Sequence, residues 1–441
     1  MYEYIIMKSS TRKQTRENTK ERRKNQICKV YRLKIVKSKL SSETKEKLDM
    51  FFVESKWLYN YILSTGDPFN FDTKTKEVDV LVKDKMEKRQ LNNLSGAMRQ
   101  AIQGRMVKAI CSISGLKKKG YKTGRLKYKS KITSIPLRQY AKTVKNGTHR
   151  IIGKNKIKIQ GIKQIINVRG LDQIPENSEY ANANLIKAAD DYYFNITTFQ
   201  QKPSVSPPDK AIGIDFGCQT QLTLSDGTKI EFQVPVSERI KRLSRKISKN
   251  NRPKSNNKNK DLLKREKAYN RLVNKKKDIR NKIVNVITKN FKYVCFQNES
   301  IHAWEASGHG KKIQNSGIGG IIEALKHKAH TPIMVGKFFP STQLCPACGC
   351  LNKIPLSERV YSCDCGFSMD RDTKSAQCIL NEGLRQNKIP TDRRDFKTGE
   401  ILSSTCFDDL SKIRNIKVSK VKSMSQEAPE DGVDHYENYG S

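Results

Sequence analysis

The sequence predicts a multidomain α+β chain. An N-terminal β-barrel-like domain is interrupted by a helical insertion, and an α/β domain with an inserted four-cysteine ribbon follows. Three observations predict this. A Pro/Ser stretch at 201–209, QKPSVSPPD, separates a region of short strands from one in which apolar strands alternate with helical patterns. Four cysteines fall in two close pairs between Cys345 and Cys365. The chain carries 86 Lys and Arg against 44 Asp and Glu, a formal charge of +42 spread over most of its length. Such a chain repels itself unless a polyanion neutralises it, which points to nucleic acid as the partner class.

Composition also excludes classes. No run of 18 apolar residues is present to span a membrane, and the apolar stretch Tyr4–Met7 is too short for a secretory signal. Eleven cysteines, an odd and clustered set, suit metal binding in a reducing, cytoplasmic setting better than a disulfide framework.

Residues 1–27 read as a disordered basic tail with little to bury. The β-barrel-like domain is expected over 28–40 and 114–200, beginning with a strand at Val30–Val36. Further strands are expected at Arg150–Ile152, Lys156–Ile159, Ile165–Val168 and Tyr192–Thr198. Residues 41–113 read as the helical insertion. Ser41 is placed to cap a helix whose Leu48, Phe51, Phe52, Leu58 and Ile62 recur at helical spacing, and a second helical region is expected over 78–113. The segment 117–131, KKKGYKTGRLKYKSK, has eight basic residues and no acid. Lys117, Lys118, Lys119, Lys122, Arg125, Lys127 and Lys129 suit phosphates, and Tyr121 and Tyr128 offer rings for stacking on a base or sugar.

The second domain is expected over 210–340 and 368–385, with 201–209 as linker. Ile212–Phe216 reads as a buried strand carrying Asp215, a costly place for a bare carboxylate. A hairpin follows through Leu222–Leu224, the Ser225-Asp226-Gly227 turn and Lys229–Phe232. An Asp-bearing strand followed at once by a hairpin is how an RNase H-like fold begins, and such an Asp commonly ligates a metal. A charged helical pair is expected over 236–290. Tyr293–Phe296 is a further strand, with Glu299 just past its end, where α/β sheets collect active residues. The Gly-rich stretch after it reads as a flexible loop before a helix from about Gly319; its His302 and His309 have no ligand spacing with a cysteine. Asp370 and Asp372 both fall near the start of a helix, where a carboxylate also serves as an N-cap.

Cys345-Pro-Ala-Cys348-Gly and Cys363-Asp-Cys365-Gly, over an expected ribbon at 341–367, can close a tetrahedral zinc site of the structural kind, with no ligand position open. Cys350 lies nearby as a substitute ligand. Residues 386–441 read as a largely disordered tail that ends acidic, with five acids and no Lys or Arg over 425–441.

GIDFG around Asp215, FQNES around Glu299 and the run CPACG…CDCGFSMDRDTKSA resemble the transposon-encoded TnpB family and the related compact type V CRISPR effector nucleases. The likeness is strong over roughly 210–385 and weaker N-terminally, where the regions resemble that family's wedge and recognition domains. The resemblance implies a RuvC-type RNase H-like nuclease with Asp215, Glu299 and Asp372 as catalytic acids. They would hold two Mg²⁺ ions, beside one structural Zn²⁺ on Cys345, Cys348, Cys363 and Cys365. It selects Asp372 over Asp370, gives Arg371 a role at phosphate or a neighbouring carboxylate, and implies a guide RNA and double-stranded target DNA as partners. Lys374 stands where that pattern commonly has Asn. Two other readings remain open: a nuclease-inactive RNA-guided repressor, and a transposase or resolvase acting without RNA.

Overall fold

The structure is a computed structural model. It describes residues 14–15, 17–82, 85–138, 140, 147–202, 206–250, 255–355, 357–389 and 405–421. The chain divides into two compact units between 204 and 205. Among the described residues no helix is long and apolar enough to cross a membrane.

The first unit is built on an antiparallel seven-stranded sheet. Its strands are β1 (Gln26–Ile35), β4 (Ser134–Leu137), β5 (His149–Gly153), β6 (Lys156–Ile159), β7 (Ile166–Arg169), β8 (Glu179–Ala188) and β9 (Asp191–Gln201). They lie in the order β4-β8-β9-β1-β7-β6-β5. An isolated bridge between Tyr140, after β4, and His149, at the start of β5, joins the two edges. Strict alternation in β9 puts Tyr192, Phe194 and Ile196 into the core, as the period of a strand requires. Between β1 and β4 the chain inserts helix α1 (Ser42–Ser64), a hairpin of β2 (Glu77–Val82) and β3 (Lys85–Gln90), and helix α2 (Gly96–Lys118). Ser41 caps α1 through the Thr44 N–H. Glu54, buried on α1, accepts the N–H groups of Asn93 and Leu94 at 2.9 Å each and so sets where α2 begins.

Two N-terminal expectations fail here. Glu77–Val82 and Lys85–Gln90 pair as antiparallel strands rather than forming part of a helix, because Val78, Val80 and Val82 alternate at period two and Val78 is buried. Residues 17–24 are helical rather than a loose tail. Arg22 and Arg23 pair with Glu179 at 3.0 and 3.3 Å, and Arg23 stacks on Phe199. Residues 1–13 lie outside the described part of the chain.

The second unit holds a mixed six-stranded sheet in the order β14-β13-β10-β11-β12-β17. Its strands are β10 (Ala211–Phe216), β11 (Leu222–Leu224), β12 (Thr228–Phe232), β13 (Tyr293–Gln297), β14 (Thr331–Val335) and β17 (Ile416–Lys420). β10, β13 and β14 run parallel, whereas β10, β11, β12 and β17 pair antiparallel in turn. Helices α3 (Glu238–Lys249) and α4 (Asn256–Asn290) connect β12 to β13. Buried Asp261 of α4 pairs with Lys246 of α3 at 2.9 Å. α5 (Ile318–Lys328) precedes β14, a ribbon hairpin of β15 (Val360–Ser362) and β16 (Ser368–Asp370) follows it, and α6 (Arg371–Gln386) packs back on the sheet.

Here too the sequence reading needs correction. The Gly-rich stretch at 301–316 is a succession of short helical turns, and Ile313 joins the core. The C-terminal stretch is not all tail: β17 extends the sheet by pairing Phe232 with Ile416, and Phe407 and Leu410 are buried in the core. The acidic residues at 425–441 lie outside the described residues.

α6 approaches β10 so closely that a Cβ on Gly213 would lie 2.1 Å from the Ala376 carbonyl oxygen and 2.8 Å from Leu380 Cβ. Gly213→Ala is therefore expected to lower the stability of this unit by roughly 1–3 kcal/mol or more. Chemical denaturation checks this, with Gly336→Ala, where nothing lies within 4 Å, leaving the midpoint unchanged.

Candidate active site and metal centre

β10 and β13 are neighbouring parallel strands, with Ile214 paired to Phe296. Asp215 is one residue beyond that pair and Glu299 three beyond its partner, so both acids leave the same end of the sheet. The turn holding Glu299 is fixed by Gln297, whose amide donates to the carbonyls of Lys337 and Phe339 at 2.9 and 3.1 Å. The Asn298 N–H donates to Val335. Nothing in the local sequence marked Gln297, because its partners Lys337 and Phe339 lie some forty residues away. Asp372 comes from the opposite direction, in the first turn of α6.

The structure separates the two candidate acids of α6. One oxygen of Asp370 accepts from the N–H and hydroxyl of Thr373 at 3.0 and 2.9 Å, capping α6. The other accepts from Lys229 at 2.7 Å. Both oxygens of Asp370 are therefore engaged. Among the described residues Asp372 has loose ion pairs, to Arg371 at 3.5 Å and Arg359 at 3.8 Å. Arg371 is held by donating to the Glu358 carbonyl at 2.9 Å.

Electrostatics joins the three acids. Burial first, then the like charges of Asp372 and Glu299, push the Asp215 carboxyl up to about 8; Arg371 and Lys374 oppose the shift. Burial also raises Glu299, against the pull of Lys337. Among the described residues, the three carboxylates do not gather their oxygens within 4.8 Å of one another. Hard oxygen donors whose mutual repulsion a divalent cation would relieve fit Mg²⁺ by donor chemistry.

The four cysteines do gather. The Sγ atoms of Cys345, Cys348, Cys363 and Cys365 all lie within 4.8 Å of one another. Cys345 and Cys365 are 3.7 Å apart, and Cys348 and Cys363 are 3.6 Å apart. Four thiolates about 2.3 Å from one ion, at tetrahedral corners, would stand about 3.8 Å apart. These residues therefore fit zinc. Gly349 and Gly366 have φ of +78° and +83°, the left-handed turn each knuckle needs. Cys350 is outside the cluster and instead directs backbone: its carbonyl accepts from Cys345, and its N–H is the main influence lowering Cys348, to about 6. The C-x-C second knuckle is accommodated without it.

In the first unit, Lys117 and Lys118 close the last turn of α2, and the rest of the nominated basic segment is irregular. Lys119, Tyr121, Lys122, Arg125, Lys127, Tyr128 and Lys129 are all exposed. Asn60 on α1 pins the segment from both sides, donating to the Lys129 carbonyl at 3.0 Å and accepting its N–H at 2.9 Å. A cavity of about 490 Å³ opens beneath, with Tyr59, Arg105 and Lys129 among its walls.

Comparisons agree with the sequence motifs. Residues 194–296 match the OrfB_IS605 family, described as "Probable transposase", and residues 320–379 match the Cas12f1-like TNB domain. A curated relative from Streptomyces pristinaespiralis, named "Putative RNA-guided DNA endonuclease", is 24% identical over 248 residues, 53% of this chain and 61% of that protein. TnpB-like protein L79 of Acanthamoeba polyphaga mimivirus is 24% identical over 215 residues, 44% of this chain and 41% of the relative.

Over about half of its length the chain is similar to TnpB-like proteins. It spans 61% and 41% of the lengths of these two relatives. The chain also resembles a solved chain from the "Cryo-EM structure of the Cas12f1-sgRNA-target DNA complex", at 13% identity and a TM-score of 0.41, over 81% of this chain and 99% of that one.

The position of Asp215 makes stability depend on pH when no divalent ion is supplied. Its carboxyl is raised from 3.8 to about 8, so the folded state keeps a proton that the unfolded state has lost. Stability from this group is full at acid pH and is lost as pH rises through that window, at about 1.4 kcal/mol per pH unit. Asp215→Asn is expected to stabilise the metal-free chain at pH 8 and to change little at pH 4. Thermal melts at the two pH values check the sign.

Proposed function

We propose that the chain is an RNA-guided DNA endonuclease that cleaves at a single RuvC-like site using Asp215, Glu299 and Asp372. The observation that carries this reading is the convergence of the three acids. Two leave the ends of adjacent parallel strands, the third enters from the first turn of α6, and Asp215 senses the charge of both others. The sheet supports an RNase H-like assignment. In chain order its first three strands pair antiparallel as β10-β11-β12, and β13 and β14 add in parallel on the other side of β10.

Asp215, Glu299 and Asp372 would hold Mg²⁺, which when bound supplies an activated water and charge neutralisation for phosphodiester hydrolysis. The chain's own groups do the remaining work. Gln297 fixes the turn that aims Glu299, and the Asp370 cap fixes the helix turn that presents Asp372. Arg371 and Arg359 stand beside Asp372, placed to meet a phosphate drawn toward the acids.

The guide RNA and double-stranded DNA come from the likeness to TnpB and from charge. The exposed segment from Lys117 to Lys129 presents cations and two tyrosines without an acid between them, suited to a nucleic acid backbone. Lys374 occupies the place of the family's common Asn and does not interrupt the acid set.

Expression with flanking genomic DNA, sequencing of retained RNA and cleavage of a matched plasmid in Mg²⁺ test the reading. The expected result is bound RNA and RNA-dependent cutting. Asp215→Ala, Glu299→Ala and Asp372→Ala should each retain RNA and lose cleavage by roughly 10³-fold, the size of several kcal/mol at the transition state. Asp370→Asn should lower stability more than it lowers the cleavage rate. RNA retention without cutting by the unaltered chain marks a binding protein, and cutting without RNA marks a resolvase.

A further inference from the structure

Lys374 is completely buried, a rare place for an ammonium group. Its Nζ donates to the carbonyls of Ser341 and Leu344 at 3.0 and 3.2 Å. It also lies 3.9 Å from the centre of the Tyr361 ring. Among the described residues no carboxylate pairs with it. Two carbonyls and a ring face leave a buried cation short of a formal counter-charge.

The surroundings supply one. Leu344 directly precedes Cys345, and Tyr361 of β15 stands two residues before Cys363. The Tyr361 hydroxyl donates to the Gln343 carbonyl at 3.2 Å, and the Cys378 thiol of α6 donates to the Leu344 carbonyl at 3.3 Å. Three successive parts of the ribbon's entry, Ser341, Gln343 and Leu344, are therefore gripped by α6 and β15. Four thiolates around one Zn²⁺ carry a net charge of about −2, and such a group inside protein calls for a nearby cation.

We propose that Lys374 is the counter-cation of the zinc–thiolate centre and ties that centre to the helix that bears Asp372. Zinc loading then sets the first turn of α6, and with it the third acid of the proposed active site. Lys374 is a positioning residue in this account. Burial lowers the Lys374 ammonium below its ordinary range, and Cys378, Cys345 and Asp215 pull it back toward the charged form. The inference rests on reading the four cysteines as a zinc site, and the experiment separates the two claims.

Zinc content of the purified full chain is measured first. Absence of stoichiometric zinc overturns both readings. In the zinc-loaded unaltered chain, hydrogen exchange is followed before and after chelation. Removal of zinc should speed exchange at Arg371–Ser375 as well as in the ribbon. If only the ribbon responds, the coupling is overturned; this measurement needs no variant. Lys374→Met should hold zinc against a chelator roughly 10- to 100-fold less tightly, the range seen when a supporting group beside a metal site is lost. In that variant the exchange of 371–375 should no longer respond to zinc removal, which a merely structural lysine would not cause. Equal zinc retention in Lys374→Met and the unaltered chain overturns the proposal while leaving the zinc site intact.

Discussion

The contact on which the second unit depends is the close seating of α6 against β10. With no side chain at Gly213, the Ala376 carbonyl can come to a distance that a Cβ would forbid. On the same helix Ser375 and Ala376 are fully buried and small. Gly383 repeats the device farther along, where an added Cβ would meet Cys295 Sγ at 2.8 Å. Only a helix held this close can bring its first turn beside the end of the central strand. The position of Asp372 relative to Asp215 therefore follows from backbone packing, and the electrostatics follow from the position.

Those electrostatics oppose folding. Three acids gather at one end of the sheet, and the cations near them do not cancel the repulsion at Asp215. Asp370 shows how the same residue type serves stability two positions away. Capping α6 and pairing with Lys229, it stays below the usual carboxylate range. One helix start thus carries one acid committed to structure and one left in loose ion pairs. Sites that act on charged ligands keep such uncancelled charge because the ligand supplies the cancellation.

How much was legible in the sequence follows from how local each signal is. The strand around Asp215, the hairpin after it and the cysteine pairs are written in adjacent residues, and adjacent residues suffice to read them. The choice between Asp370 and Asp372 was not legible from spacing, since both lie at a helix start. The family resemblance made that choice, and the partner that engages Asp370 in the fold, Lys229, lies 141 positions away. Gln297 and Glu54 were missed for the same reason: each is a buried polar group whose meaning lies in partners from another element. β17 was hidden by a different effect. IKVSK is a short alternating segment after a long polar stretch, and only the open edge of β12 makes it a strand.

The ribbon's place in the chain accounts for its relation to the acids. It is inserted between β14, which lies beside the strand leading to Glu299, and α6, which carries Asp372. An unconstrained connection of that length would leave the start of α6 free to wander, and the entropy of closing it would work against the site. The ribbon shortens the effective connection. Its entry is pinned at Ser341, Gln343 and Leu344, and its exit is β16, which runs into α6 at Asp370. The pairing of Val360 with Asp370 makes the last residue of the ribbon hairpin also the cap of the helix. The four-cysteine ribbon is thereby joined directly to the turn of α6 that presents Asp372.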